Sequence, residues 1–538
     1  MSNPTDVILQ YHQRTKHHFH AYAAGPGRLS WATQPDPFRR YDGAPQVPLP
    51  RLPERHQPTF AALPAPPTSV EPVTLETISR LFRNALAVSA WKRHQASRWA
   101  LRVNPSSGNL HPTECYLITD DLDAACPAGV YHYAPKEHLL ERRGVVTSEG
   151  YRALTAGFAP GTMLVALSSI PWREAWKYGE RAFRYCQHDV GHALAALRYS
   201  ARILGWHLQL LDTISDDTIR SLAGLDAGGF HPQEPEYPEL LCALLPHGSG
   251  PQPGPLVVDG WRPAWQGTPN VLSAGHHPWP VVDEAARASE APPRPPVGAL
   301  PPNVITSAVS LPDDVLPAER IIQRRRSATD FDGVTSITKE QLWRMLSRTL
   351  TAAGAPPWDV LAGTVMAEPR VHLVLFVHRV VGMHPGVYLL LRRADDEEAL
   401  RKATRPEFLW EAVPGCPLPL FLLLPADTRD AARAIGCHQD IAADGAFSLG
   451  MIARYDEPIR THGAWLYRRL FWEAGVIGQV LYLEAEACRV RATGMGCFFD
   501  DGMHQLLGFS DATFQDLYHL AVGGPVEDTR ITTEPAYP

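Results

Sequence analysis

None of the eight cysteines, at 115, 126, 186, 242, 416, 437, 488 and 497, sits in a CxxC pair. Zinc ribbons and thioredoxin-like dithiols hold two thiols together with such a short spacer, so neither a metal site nor a redox dithiol is expected. The spacings form no disulfide framework, which points to a reducing compartment. Long apolar runs are missing as well: no stretch reaches the roughly 18 uncharged residues of a membrane-spanning helix. The opening MSNPTDVILQYHQRTKHH has no apolar core of signal-peptide length. The expected location is the cytoplasm. There is no basic tail, the formal net charge is -7, and the aromatics are not interleaved with Lys and Arg. Nucleic acid is therefore excluded as the expected partner. No strand is followed by GxGxxG, so no resident nicotinamide-binding domain is expected either.

The rest is the composition of a globular chain, and 538 residues are too many for a single core. Residues 1–70 alternate turn dipeptides with single aromatics and read as an irregular N-terminal arm, with one helix near Val7–His18. Its His12, His17, His18 and His20 read as a solvated polar face, since no carboxylate or thiol completes a metal shell. Residues 71–250 form a first domain. Leu75, Ile78, Leu81 and Phe82 recur at helical spacing behind Thr74 as N-cap. The loop Arg102–Glu114 then leads to strands at Cys115–Thr119, Gly129–Tyr133 and Met163–Leu167. A long helix at Arg181–Leu204 and a strand at Leu240–Leu245 complete the unit. Residues 251–305, dense in Pro and Gly, read as a linker without long regular elements, onto which Trp261, Trp265 and Trp279 pack.

Residues 306–538 repeat that order. Leu342, Met345 and Leu346 mark a helix, and Val371–Val377 a strand. Gly386-Val387-Tyr388 echoes Gly129-Val130-Tyr131, each followed by a charged helix or turn. Leu420–Leu424 matches the Met163–Leu167 strand, and Trp465–Val490 matches the long helix. At an offset of 287 residues Gly191 aligns with Gly478, His192 with Gln479 and Arg202 with Arg489. A shared order of elements is the mark of an internal duplication.

The chemistry concentrates in a few motifs. In Arg102-Val103-Asn104-Pro105-Ser106-Ser107-Gly108-Asn109-Leu110-His111, a proline fixes the chain, two hydroxyls follow, and a glycine allows close backbone approach. Such a loop offers neutral donors and acceptors to a flat heteroaromatic ring, and is equally compatible with a plain polar turn. Arg324-Arg325-Arg326-Ser327-Ala328-Thr329 pairs guanidinium forks with a hydroxyl, partners suited to a phosphate dianion or to solvent. Gly494 and Gly496 of Thr493-Gly494-Met495-Gly496 can end a helix or leave backbone amides open to a ligand. Cys437-His438-Gln439-Asp440 reads as helix packing.

The Pro105-Ser106-Ser107-Gly108-Asn109 loop resembles the flavin-contacting loop of the nitroreductase superfamily, most closely that of SagB-type (thiazole/oxazole-forming) dehydrogenases. Trp176-Lys177-Tyr178-Gly179-Glu180-Arg181, Asp189-Val190-Gly191-His192 and Tyr11-His12-Gln13-Arg14-Thr15-Lys16-His17 are similar to other signatures of that subfamily. Arg325, Ser327 and Thr329, then Gly494, Met495 and Gly496, and finally Gly523-Gly524-Pro525 leading to Arg530, resemble the superfamily's phosphate- and ring-binding elements. Thr329 stands where the family carries a basic residue, and His111 where it carries a tyrosine. The resemblance implies an α+β fold of two nitroreductase-like domains, each a mixed, mostly antiparallel sheet flanked by helices, joined as an intramolecular pseudo-dimer. The first half has the Pro-Ser-Ser loop but reads Trp206-His207-Leu208-Gln209 where Thr-Gly-Met-Gly belongs. The second half has the arginines and Thr-Gly-Met-Gly but reads Ala353-Gly354-Ala355-Pro356-Pro357 for the loop. In the family, FMN sits between two subunits that contribute these different pieces. Complementary losses therefore imply one FMN per chain, held by Pro105, Ser106, Ser107, Asn109, Arg325, Ser327, Thr329, Gly494, Met495, Gly496 and Arg530.

The same resemblance places Lys177 and Tyr178 as a catalytic pair: a lysine tuned downward by burial, or a tyrosinate held by the lysine, would take a proton while hydride passes to flavin N5. The implied substrates are azolines in modified peptides or related small molecules, with a cyclodehydratase as partner. Two other readings stay open: an NAD(P)H-dependent reductase of small electron-poor molecules, and a non-enzymatic flavin-binding or storage protein. The chain is expected as a monomeric pseudo-dimer or a homodimer.

Overall fold

A computed structural model describes residues 3–246, 254–296, 315–351 and 355–537. Thr74 caps the helix Leu75–Arg83, its side chain accepting from Thr77 N while Thr77 reaches back to the cap. The apolar strands Thr113–Thr119, Gly129–Ala134, Met163–Ser169 and Tyr237–Leu245 are buried along their whole length. Both faces are covered, which is why they read as continuous rather than alternating hydrophobic runs. They form an antiparallel sheet in the order Ala264–Trp265, Leu139–Val145, Gly129–Ala134, Thr113–Thr119, Met163–Ser169, Tyr237–Leu245, His207–Leu210, with Gln46–Pro48 also pairing to Leu139–Glu141.

The second sheet repeats this path. Its order is Glu411–Ala412, Leu420–Pro425, Gly386–Leu390, Val371–Val377, Phe447–Arg454, Phe514–Gly523, Arg491–Met495. Superposing the two halves corrects two equivalences. The long helices Ala182–Ile203 and Leu466–Ala487 correspond at an offset of 284 residues rather than 287, so Gly191 matches Gly475 and not Gly478. Leu420–Pro425 pairs with Gly386–Leu390, as Leu139–Val145 pairs with Gly129–Ala134. The true counterpart of Met163–Ser169 is Phe447–Arg454, which pairs with Val371–Val377 on one side and Phe514–Gly523 on the other. Leu139–Val145 escaped the sequence reading because its charges are buried and matched. Glu141 Oε2 lies 2.9 Å from His132 Nδ1, and the Arg143 guanidinium stacks 3.8 Å over the Tyr41 ring. The segment after Gly129-Val130-Tyr131 is thus a strand, not a charged helix or turn.

The arm is not a solvated face. Its helix, Pro4–Arg14, buries His12 against Tyr467 and Gln515 of the second half, and His17 is buried as well, while His18 and His20 are exposed. The proline-rich stretch also holds more regular structure than expected. Ala264–Trp265 adds to the first sheet, and Pro280–Ala288 is a nine-residue helix whose leading proline occupies the first turn, where no amide partner is lost. Trp261 is buried, whereas the LPPN run lies outside the described residues. Among the described residues no helix is long and apolar enough to cross a membrane.

Between the sheets lie two 22-residue helices, Ala182–Ile203 and Leu466–Ala487, buried over nearly their whole length. Their backbones meet at glycines. A Cβ on Gly191 would run into the Trp472 carbonyl and sit 2.9 Å from Gly475 Cα, and one on Gly475 would run into the His188 carbonyl. Arginines at the helix starts then reach across in both directions. Arg181 Nη1 and Arg184 Nη1 bond Asp500 at 2.9 and 2.6 Å, and Arg468 bonds Asp216 and, at 3.1 Å, Glu239. Asp216 and Asp500 begin corresponding short helices, so the same ion pair is made twice, once from each half. Burial alone would raise the Asp500 carboxyl, but Arg181 and Arg184 outweigh it and hold it far below the carboxylate range.

Gly191→Ala should lower unfolding stability by about 1–3 kcal/mol, because the contact is with backbone that cannot yield. Chemical denaturation would show it, and an unchanged midpoint would mean that the helices do not cross there.

Candidate functional site

One cavity of about 470 Å³ opens between the halves, lined by residues of both. Its first wall is the hairpin Val88–His94/Ser97–Arg102, to which Thr532–Glu534 from the far end of the chain adds a third strand. The loop Asn104–His111 follows. Its tip is a short helical turn in which Gly108 has φ 58°, and a Cβ there would sit 2.5 Å from the Tyr178 hydroxyl and 3.1 Å from Lys177 Nζ. Only glycine combines that backbone with that space. Ser106 Oγ accepts from His111 N at 2.8 Å, and Ser107 donates its amide to Asp189 Oδ1 at 3.1 Å. The Asn109 amide is consumed internally, Nδ2 donating to Ala100 O and Oδ1 meeting His111 Nε2 at 2.9 Å. Histidine at 111 therefore holds the loop's shape.

The opposite wall belongs to the second half. Arg325 is buried, donating through Nε and Nη2 to the carbonyls of Val103 and Arg102 at 3.1 and 2.9 Å, so the second-half arginine is anchored on the first-half loop. Ser327 Oγ lies 2.9 Å from the Tyr482 hydroxyl, which also accepts from Gly494 N at 2.7 Å. Gly494 and Gly496 leave room for the Tyr518 hydroxyl and the Tyr185 ring respectively, and the Tyr185 hydroxyl donates to Gly496 O at 3.1 Å.

Pro105, Ser106, Ser107, Asn109, Tyr178, Arg325, Ser327, Thr329, Gly494, Met495 and Gly496 thus all line one cavity. Lys177 stands beside it, its Nζ 5.3 Å from the Tyr178 ring centre. Arg530 does not reach it: its side chain is 77% exposed and paired with Asp528, pinned by a turn that points it to solvent. Residues 352–354 of the second half's loop counterpart lie outside the described residues. The Trp358–Leu361 turn after them packs Asp359 onto Arg198 at 2.6 Å, burying the pair.

Sequence reasoning missed Lys92, Trp99, Tyr185, Tyr482, Arg491 and Tyr518 as cavity-lining residues, and held Asn104 and His192 only as members of longer motifs. The aromatic ones were camouflaged as core positions of helices and strands. It also missed a thiol pair. Cys437 and Cys497 are 60 residues apart in sequence, yet their sulfurs are 2.9 Å apart, beside the cavity. Cys437-His438 is a left-handed turn rather than helix packing.

The electrostatics modify the expected base. Burial first, then the charge of Glu174, pushes the Tyr178 phenol well above its ordinary range, so it is a protonated donor and not a tyrosinate. Asp189 is pushed up to about 7 by burial, against the lowering effect of hydrogen bonds from Ser106 and Ser107. Burial also carries His111 well below the histidine range. Among the buried side-chain atoms of the cavity-lining residues, Arg325 Nη1, Asn104 Oδ1, Arg102 Nε, His111 Nδ1, His192 Nδ1 and Asp189 Oδ2 have no hydrogen-bond partner. A free guanidinium donor and a free amide acceptor, set among Trp99, Tyr482 and Tyr518, suit a flat, polar-edged, anionic group such as FMN. Elsewhere, His231, Glu234 and His276 have ligand atoms within 4.8 Å of one another. Glu234 there already accepts from the backbone amides of Leu272 and Ser273, the work of a structural carboxylate.

The nitroreductase family profile matches residues 69–237. The chain carries a nitroreductase-family domain. Trifolitoxin-processing protein TfxB of Rhizobium leguminosarum bv. trifolii is 28% identical over 167 residues, 29% of this chain and 44% of that protein. The chain therefore spans less than half of that relative's length. A Methanocaldococcus jannaschii protein that carries the nitroreductase name is 25% identical over 181 residues, 32% of this chain and 81% of that one. A solved Anabaena variabilis structure, also named for a nitroreductase, superposes on 97% of this chain and 99% of its own with a TM-score of 0.69 at 20% identity. The nitroreductase fold therefore accounts for both halves, although the profile covers only the first.

Asp189 supplies a pH test of the cavity. Its folded-state pKa is raised, so its contribution to stability is full below its unfolded value and is lost as pH rises through about 7. The ligand-free wild type should therefore lose stability between about pH 4 and about pH 7 more steeply than Asp189→Asn, in which the remaining amide oxygen can still accept from Ser107. Parallel melting curves would show that Asp189 is charged throughout.

Proposed function

We propose that the protein is an FMN-dependent oxidoreductase of the SagB type, a dehydrogenase that oxidises azoline-type or related heterocycles in peptides or other natural products. The observation that carries this is the composite cavity: a first-half Pro-Ser-Ser loop and a second-half Arg325 meet there, with Arg325 Nη1 and Asn104 Oδ1 buried and unpartnered. One FMN per chain follows, because the corresponding place on the other side of the helix crossing lacks the glycine pair and is packed by Arg198 and Asp359.

FMN, when bound, supplies the two-electron acceptor for the substrate's hydride. Arg325, held by the Val103 and Arg102 carbonyls, offers fixed positive charge to that anionic group, with Ser327 and Asn104 as neutral partners. Tyr178 keeps its proton and donates a hydrogen bond to the substrate, and Lys177 beside the loop tip is the side chain placed to handle the proton leaving carbon. The Lys177–Tyr178 pair packed against the loop tip at Gly108 speaks against flavin storage. The TfxB likeness favours a peptide substrate. An azoline arises by dehydrative ring closure, so a cyclodehydratase is the partner this chemistry requires. Lys92, Arg326 and Arg491 at the rim favour a second reading, docking of a phosphate-bearing nicotinamide to reduce the flavin.

Flavin released by denaturation should amount to one FMN per chain, and Arg325→Ala should bleach the protein. A colourless protein that cannot be reconstituted would end the oxidoreductase reading, and two FMN per chain would end the composite-site reading. Tyr178→Phe should keep its colour and lose turnover by about 10²-fold or more on an azoline peptide. NAD(P)H consumption without azoline oxidation would favour the second reading.

A further inference from the structure

Cys497 directly follows Gly496 on the cavity wall, and its sulfur lies 2.9 Å from that of Cys437. Both thiols are free and partly exposed, as is the distant Cys416, whereas Cys115, Cys126, Cys186, Cys242 and Cys488 are buried. The two segments are tied to each other independently of sulfur. Phe499 N donates to Ile435 O at 2.8 Å, and Gln439 Nε2 donates to Cys497 O at 3.1 Å. Cys437 and His438 both hold left-handed backbone, with φ of 54° and 60°. Consecutive non-glycine residues adopt that conformation only where tertiary contacts impose it. Closing the contact to a bond of about 2.05 Å takes a movement of less than about 1 Å.

The surroundings make the two thiols unequal. Hydrogen bonding with Cys437 holds Cys497 below the ordinary thiol range despite its burial, and His17 and Arg181 lower it further. Cys437 is pushed up, by the shared hydrogen bond first and by burial second. Arg181 is held in place by its bonds to Gly496 O and Asp500, and His17 by accepting from Ala23 N at 2.9 Å. A thiolate beside a protonated neighbour is the arrangement of an attacking and a resolving cysteine.

We propose that Cys437 and Cys497 are a redox-active dithiol that exchanges with small-molecule disulfides at the cavity rim. Cys497 sulfur attacks one sulfur of a disulfide RSSR, forming a mixed disulfide and releasing RS⁻. The Cys437 thiol passes its proton to that thiolate and attacks Cys497 sulfur, closing the Cys437–Cys497 bond and releasing the second RS⁻. The protein loses two electrons and RSSR gains two. This chemistry needs no flavin and does not rest on the dehydrogenase reading.

The test is a peptide map. Full-length protein is equilibrated with glutathione from fully reduced to fully oxidised, alkylated, and digested without reductant. Two of the eight thiols should disappear under oxidised glutathione, in a single cross-link joining the Cys437 and Cys497 peptides. Cys437→Ser should trap glutathione on Cys497, and Cys497→Ser should take it up on Cys437 at least about tenfold more slowly. No cross-link, a cross-link between other cysteines, or the reverse adduct preference would overturn the proposal. Circular dichroism checks each variant, and should either misfold, the wild-type map alone decides.

Discussion

Everything in this molecule depends on two helices crossing closely enough for backbone to touch backbone. Gly191 and Gly475 make that possible, since any side chain at either would meet a carbonyl of the facing helix. The reciprocal ion pairs, Arg181 with Asp500 and Arg468 with Asp216, then set how the helices lie along each other. Buried pairs of this kind add little net stability over an apolar packing, but a wrong register would strand charges in the core at several kcal/mol each. The crossing is thus selected as much by what it avoids as by what it gains. One continuous apolar core includes both helices and the inner faces of both sheets.

The cavity is a consequence of that crossing. The helices bring Asp189, His192 and Tyr482 from the two halves to one wall, and Arg325 lodges on carbonyls of the other half's loop. Duplication made two such places possible, and divergence has treated them differently. On one side glycines at 494 and 496 admit the Tyr518 hydroxyl and the Tyr185 ring. On the other, His207–Leu210 takes the same strand position and Asp359 fills in behind Arg198. Strand order is preserved where packing demands it, and side chains have changed where only a ligand would notice.

Much of this was legible in the sequence, for a physical reason. Elements buried on both faces must be apolar throughout, so Met163–Ser169, Val371–Val377 and both long helices announce themselves. Loop motifs such as Pro105–Asn109 and Arg325–Ser327 stand out because close backbone approach restricts residue choice. The illegible parts are those where burial and polarity coincide. Leu139–Val145 hides its strand character behind Glu141 and Arg143, whose charges find partners only in three dimensions. Helical His12 looked solvated for the same reason. Arg530 erred in the opposite sense: a residue type suited to a phosphate was turned outward by its own turn and Asp528.

The sequence by itself determined the order of the elements, the duplication and the identity of the polar loops, because these follow from local periodicity and from residues whose backbone freedom is limited. Only the tertiary structure decided which strand matches which, which polar atoms remain unpaired, whether Tyr178 keeps its proton, and that Cys437 meets Cys497. Those properties depend on desolvation and on distances between groups far apart in the chain, and neither quantity is written in the spacing of residues along it.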